Sequence, residues 1–163
     1  MFKQYDQYYF EIIEDEAFKP ELEKPSTATD PDYRGQYDFW YEGIRIEVKA
    51  SRAVVRRSGG SLPDKALSST SESEFDMNFQ QLKPSCCDVF VWIGVWTDKV
   101  RFWVLSSNEV ECSANYSNKQ HRGNTGEGQL WLKESNITLF SKYEVESENL
   151  LAKIIEKGGA VAR

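Results

Sequence analysis

The chain has 163 residues, a net charge of −6, and 40% hydrophobic and 13% aromatic side chains. That length suits one well-cored domain over residues 1–163 and is too short for two ordinary ones, and the aromatic content excludes a disordered polymer. No apolar run reaches about 18 residues, and the start Met1-Phe2-Lys3-Gln4-Tyr5-Asp6 lacks a signal peptide's apolar stretch, so a helical membrane span is excluded and the cytoplasm is the expected location.

In chain order, residues 5–17 predict a helix, with Tyr5, Tyr9, Ile12, Ile13 and Glu16 near one face at 3.6-residue spacing. Residues 19–34 hold Pro20, Pro25 and Pro31 and the run Ser26-Thr27-Ala28-Thr29, which marks a connecting loop. Residues 35–52 read as a β-hairpin. Ile44, Ile46, Val48 and Ala50 alternate with Arg45, Glu47, Lys49 and Ser51, the period of a strand with one buried face. Glu42-Gly43 supplies a two-residue turn, because glycine tolerates positive φ. The register that follows sets Tyr41 opposite Ile44, Trp40 opposite Arg45, Phe39 opposite Ile46 and Asp38 opposite Glu47.

Ser58-Gly59-Gly60-Ser61-Leu62-Pro63 breaks the chain, and residues 68–74 form a polar loop suited to closing over a substrate or to plain disorder. Residues 74–83 predict a helix, with Phe75, Phe79 and Leu82 on one face and Pro84 as its stop. Residues 88–96 are nearly all apolar, as in a central strand buried on both faces, and Thr97-Asp98-Lys99 turns it into a partner over 100–105. Residues 117–129 gather Gly123, Gly126, Gly128 and the lone His121 ahead of a strand over 129–132, without the Gly-Lys-Ser/Thr ending of a Walker A loop. Residues 148–157 predict a closing helix with Leu150, Leu151, Ile154 and Ile155 inward. The three cysteines, adjacent Cys86 and Cys87 and a distant Cys112 in a loop-like stretch, have neither disulfide-framework nor zinc-ligand spacing, and the adjacent pair reads as small packing residues.

The hairpin carries the chemistry. Opposed side chains on paired strands have Cβ atoms about 4.5–5.5 Å apart, so Asp38 and Glu47 repel unless something compensates their charge. A divalent cation is the natural compensator, and Mg²⁺ takes one or two carboxylates plus water and phosphate. Lys49 lies on the same face, where it stabilises charge on a phosphate or orients an attacking water.

At these residues the chain resembles the PD-(D/E)XK nuclease superfamily. The family pattern is an acid at the end of one strand and Glu/Asp-x-Lys in the next, here Asp38 and then Glu47-Val48-Lys49. The proline that often precedes the first acid is absent, since Gln36-Tyr37 stand there. Pro31-Asp32 is a literal Pro-Asp pair, but it lies in a polar loop without strand pattern and is set aside. The resemblance implies an α/β (α+β) restriction-endonuclease-like three-layer core, a mixed central sheet flanked by helices. It implies a Mg²⁺-dependent DNA endonuclease of restriction or defence type, with Mn²⁺ as a substitute. Asp38, Glu47 and the carbonyl of Val48 would hold the metal, Lys49 would serve catalysis, and an acid of the first helix would join them, Glu16 or alternatively Glu14. Gln81, or Gln80, would reach the site from the second helix. Two sites are needed to cut both strands, which suggests a homodimer or a partner subunit.

Net charge alone speaks against a nucleic-acid partner, but its distribution does not. Residues 44–65 carry six basic against two acidic side chains, net +4, whereas residues 1–43 carry −7 and residues 66–163 carry −3. Arg52, Arg56 and Arg57, with His121 and Arg122 from the glycine-rich stretch, are the candidates for binding a DNA backbone, against the alternative of solvated loops. Two other classes stay open: a non-catalytic nucleic-acid-binding module of the same fold, and an accessory subunit of a larger nuclease complex.

Overall fold

The structure is a computed structural model, and it describes residues 22–56, 59, 61–119 and 127–159. The helix expected over 5–17, with Glu14 and Glu16, lies outside them, as do Arg57, His121 and Arg122.

The hairpin forms as its pattern requires. Strand β1 (Phe39–Tyr41) turns through Glu42 and Gly43 into β2 (Ile44–Arg52), pairing Phe39 with Ile46, Trp40 with Arg45 and Tyr41 with Ile44. Both turn residues have positive φ, 44° at Glu42 and 91° at Gly43, the geometry whose twist matches antiparallel strands. After Ala53 the chain bends into β3 (Val54–Val55) and passes through a short helix α1 (Leu62–Lys65).

The next element corrects the sequence reading. Residues Phe75–Leu82 are a strand, β4, and not a helix. Phe75, Met77 and Phe79 alternate inward at period two. A β-bulge at Gln81, whose φ is +57°, then shifts the phase so that Leu82 also points in. The bulge makes inward positions 75, 79 and 82 imitate helical spacing.

Strand β5 (Val89–Val95) is buried throughout and pairs antiparallel with β6 (Val100–Ser106), as expected. It also pairs parallel with β2, from Ile46 beside Val89 to Arg52 beside Val95. Parallel neighbours need a long crossover, most often through a helix; here residues 53–88 make it by way of β4. Helix α2 (Ser107–Glu111) follows β6, and Cys112 is the turn residue that caps its end. Then come β7 (Tyr116–Ser117), β8 (Gly128–Lys133), a 3₁₀ segment (Ile137–Tyr143), β9 (Glu144–Val145) and helix α3 (Leu150–Gly159).

Two sheets result: a mixed five-stranded sheet in the order β1-β2-β5-β6-β9, and an antiparallel one in the order β3-β4-β8-β7. One face of the first sheet, through Ile46, Val89, Val91 and Val104, packs on Leu150 and Ile154 of α3. Ile155, expected inward, is 42% exposed. The other face, through Phe90, Trp92, Trp103 and Leu105, packs on Met77, Phe79, Leu130 and Leu132 of the second sheet. Phe79 stacks on Trp92 at 4.8 Å between centroids. The fold is mixed α+β, and the layer on this side is a sheet where a helix was expected. No helix among the described residues is long and apolar enough to cross a membrane.

Candidate active site

Strand alternation places the motif. Ile46 and Val48 turn toward α3, so Glu47 and Lys49 leave β2 on the opposite face, beside Phe90 and Trp92 of β5 and toward the second sheet. The hairpin ladder runs one bond past β1, the Asp38 amide donating to the Ile46 carbonyl at 2.9 Å. The Asp38 carboxylate then folds over the strand, its Oδ2 accepting from the Val48 amide at 2.8 Å. The N–H and C=O of a strand residue leave by the same edge. Val48's carbonyl therefore lies on the edge that Asp38 occupies.

Glu47 meets both partners. Its carboxylate forms an ion pair with the Lys49 ammonium and feels the charge of the neighbouring Asp38 carboxylate. Its side chain is 12% exposed and that of Lys49 is 23% exposed. The Glu47 carboxyl is raised to about 7, chiefly by burial; Lys49 opposes the rise and the adjacent Asp38 charge adds to it. A carboxyl raised this far keeps its proton close to neutral pH.

The expected repulsion between Asp38 and Glu47 is thus present, since the Asp38 charge raises the Glu47 carboxyl. The donor set is one of hard oxygens, suited to Mg²⁺ or Mn²⁺ and unsuited to soft metals. Among the described residues no group of three or more His, Cys, Asp and Glu is arranged to hold a metal. A cation at this point would therefore rest on two carboxylates and the Val48 carbonyl, with water and substrate oxygens completing its shell, as Mg²⁺ sites commonly allow.

The remaining candidates are placed as follows. Gln80 and Gln81 are exposed on β4 instead of on a helix. Ser51, on the same face of β2 as Glu47 and Lys49, accepts the Asn78 amide at 3.0 Å, which sets β4 alongside β2. Arg52 ends β2 opposite Val95. Arg56 pairs with Glu74 at 3.4 Å and stands 3.8 Å from Asp76, so part of its charge is already met. Asp32 sits exposed in a turn, in keeping with setting Pro31-Asp32 aside. Cys87 is buried, its thiol pushed up to about 12 chiefly by that burial, in keeping with a packing role; Cys86 is half-buried.

Sequence reasoning missed Asp88. Its carboxylate takes the Arg45 guanidinium at 3.0 and 2.8 Å and the Arg45 amide at 2.8 Å, pinning the start of β2 to the start of β5 just before the acidic pair. The forked Arg–carboxylate geometry gives this tie its direction. Its position before a buried strand was the one available signal.

No family model, curated protein or solved structure matches the chain.

Proposed function

We propose that this protein is a divalent-cation-dependent nuclease that hydrolyses phosphodiester bonds in DNA, built on a restriction-endonuclease-like hairpin. The observation that carries the reading is the Asp38 carboxylate folded onto the Val48 amide beside Glu47, with Lys49 ion-paired to Glu47. Asp38, Glu47 and the Val48 carbonyl would hold Mg²⁺ or Mn²⁺. Bound there, the cation supplies Lewis acidity toward a phosphoryl oxygen.

The chain's own groups do the rest. Asp38 is held by the Val48 amide, so its free oxygen keeps a fixed direction. Glu47, largely removed from water, concentrates negative charge where a cation replaces a proton. Lys49 Nζ places a positive charge beside the scissile phosphate and offsets the charge that builds there during displacement. Arg52 and Arg56 would contact the flanking backbone, and cutting both strands would call for two copies or a partner subunit. The departure at β4 from the resembled order of elements changes the layer that the site faces and leaves the hairpin motif intact.

Calorimetric titration with Mg²⁺ and Mn²⁺ tests the metal half of the reading. Wild type is expected to bind one cation per site, and Glu47→Gln to bind none. Equal binding by both proteins would overturn the assignment of the ligands. DNA binding without any cation response would favour the non-catalytic module.

A further inference from the structure

We infer that a second site, formed by the serine-rich crossover loop and the β5–β6 turn, binds a phosphate group, and that the group comes from the backbone of the nucleic acid cut at Asp38 and Glu47. Only the source of the phosphate rests on the proposed nuclease activity; the pocket stands on its own geometry.

The site is a cavity of about 180 Å³ between the loop over 67–73, the turn after β5 and the end of β8. Ser69, Ser71, Ser73, Lys99, Arg101 and Glu134 supply its polar lining. Pockets for drug-sized ligands run about 300–1,000 Å³, so this one suits a single small group. Its aromatic floor does not take a base. Phe75 and Trp96 are each 5% exposed and close on one another edge to face at 5.4 Å, which leaves no ring face open for stacking. Apart from Glu134, the polar groups that line the space are hydroxyls and cations, the partners of a tetrahedral oxyanion.

The walls are held in place without a ligand. The Ser69 amide and hydroxyl donate to the two Asp98 oxygens at 2.7 and 2.8 Å, and the Thr97 amide donates to the Leu67 carbonyl at 2.9 Å. These bonds dock the loop on the turn. Arg101 gives Nε and one terminal nitrogen to Glu144, both at 2.6 Å, and lies 5.4 Å from the Trp96 ring centre. A guanidinium has five N–H donors, so Nη1 remains for a further acceptor while the plane is locked. Glu144 is neutralised by Arg101, whereas Asp98 keeps its charge behind the loop and outside the lining. Glu134 is the one lining carboxylate left to repel an anion, and Lys99, exposed at the mouth, is the adjustable cation.

The distance fits one nucleic-acid strand. Trp92 lies beside Lys49, and Trp96 is four residues further along the same chain direction. At about 3.3 Å per residue that is about 13 Å. A duplex strand rises about 3.4 Å per nucleotide while winding about its axis, so a straight span of this length reaches a phosphate roughly two nucleotides from the scissile one.

The test is amide NMR of the intact protein in EDTA, where the carboxylate pair has no cation and its activity plays no part. Inorganic phosphate and a short single-stranded DNA are titrated separately. Both are expected to shift the amides of residues 68–73 and 99–101. Lys99→Glu, a surface change that spares the fold, should weaken both responses roughly fivefold or more, and Glu134→Gln should strengthen them. Shifts that ignore both substitutions, or no shifts at all, would overturn the site. Phosphate shifting these amides while DNA leaves them untouched would overturn the backbone source. A DNA response with an inactive hairpin would support the site and count against the nuclease reading alone.

Discussion

The Asp38 carboxylate accepts the Val48 amide at 2.8 Å across the open end of the hairpin, and so does the work of one more strand pair. Removing it leaves a half-buried donor without an acceptor. Asp38→Ala is therefore expected to lower unfolding free energy by about 1–2 kcal/mol in urea. Asp38→Asn keeps an acceptor and should recover much of that stability, yet it should lose the rise in Tm that Mn²⁺ gives wild type. An undiminished Mn²⁺ response in Asp38→Asn would remove Asp38 from the ligand set.

Glu47 makes stability depend on pH in an uncommon direction. Its folded carboxyl is raised from 4.5 to about 7, mainly by burial, so the folded chain holds this proton more tightly than the unfolded one. The resulting contribution is complete below the ordinary value of 4.5 and is lost as pH climbs to about 7. In EDTA, urea midpoints across that window should fall with pH more steeply for wild type than for Glu47→Gln. Parallel curves would show that Glu47 titrates as an ordinary exposed acid. Cation affinity has the opposite slope, rising with pH through the same window because the cation competes with the proton.

The β4 bulge holds Gln81 at φ +57°, in the left-handed region. That conformation costs an L-residue about 1–2 kcal/mol, and glycine returns part of the gain as lost chain entropy. Gln81→Gly is expected to raise stability by up to about 1 kcal/mol. If Gln81 also serves the site, as the resemblance implies, cleavage should fall while Tm rises, and measuring the two together separates the roles.

Gly94 lets β5 and β6 pack at the centre of the core. A Cβ there would stand 2.7 Å from Trp103 Cζ3 and 3.1 Å from Met77 Sδ. Gly94→Ala should destabilise by about 1–3 kcal/mol, the usual cost of overpacking, and a neutral result in thermal unfolding would contradict this packing of Trp103.

The hairpin was legible because three local signals agree: the alternation from Ile44 to Ala50, the Glu42-Gly43 turn, and a register that the buried face permits only one way. Strand β5 was legible from its unbroken apolar run. Strand β4 was not, because the Gln81 bulge turns a two-residue period into apparent helical spacing, and Pro84 supplies a false helix stop. Met77 carried the contrary signal, being apolar and buried between Phe75 and Phe79. Helix α2 had a readable sign that went unused, the Ser106-x-x-Glu109 capping box, whose two reciprocal bonds the structure forms. Within the site, the acidic pair could be inferred from register, whereas Asp88 and Ser51 act through partners distant in sequence, Arg45 and Asn78, and no local pattern announces them.

The most direct measurement is incubation of the purified protein with supercoiled and linear DNA in Mg²⁺ or Mn²⁺, with EDTA and Lys49→Ala as controls. The account predicts nicking or cutting by wild type that EDTA and Lys49→Ala each abolish. Cleavage that survives Lys49→Ala, or none with any DNA in either cation while the protein still binds both, would contradict it.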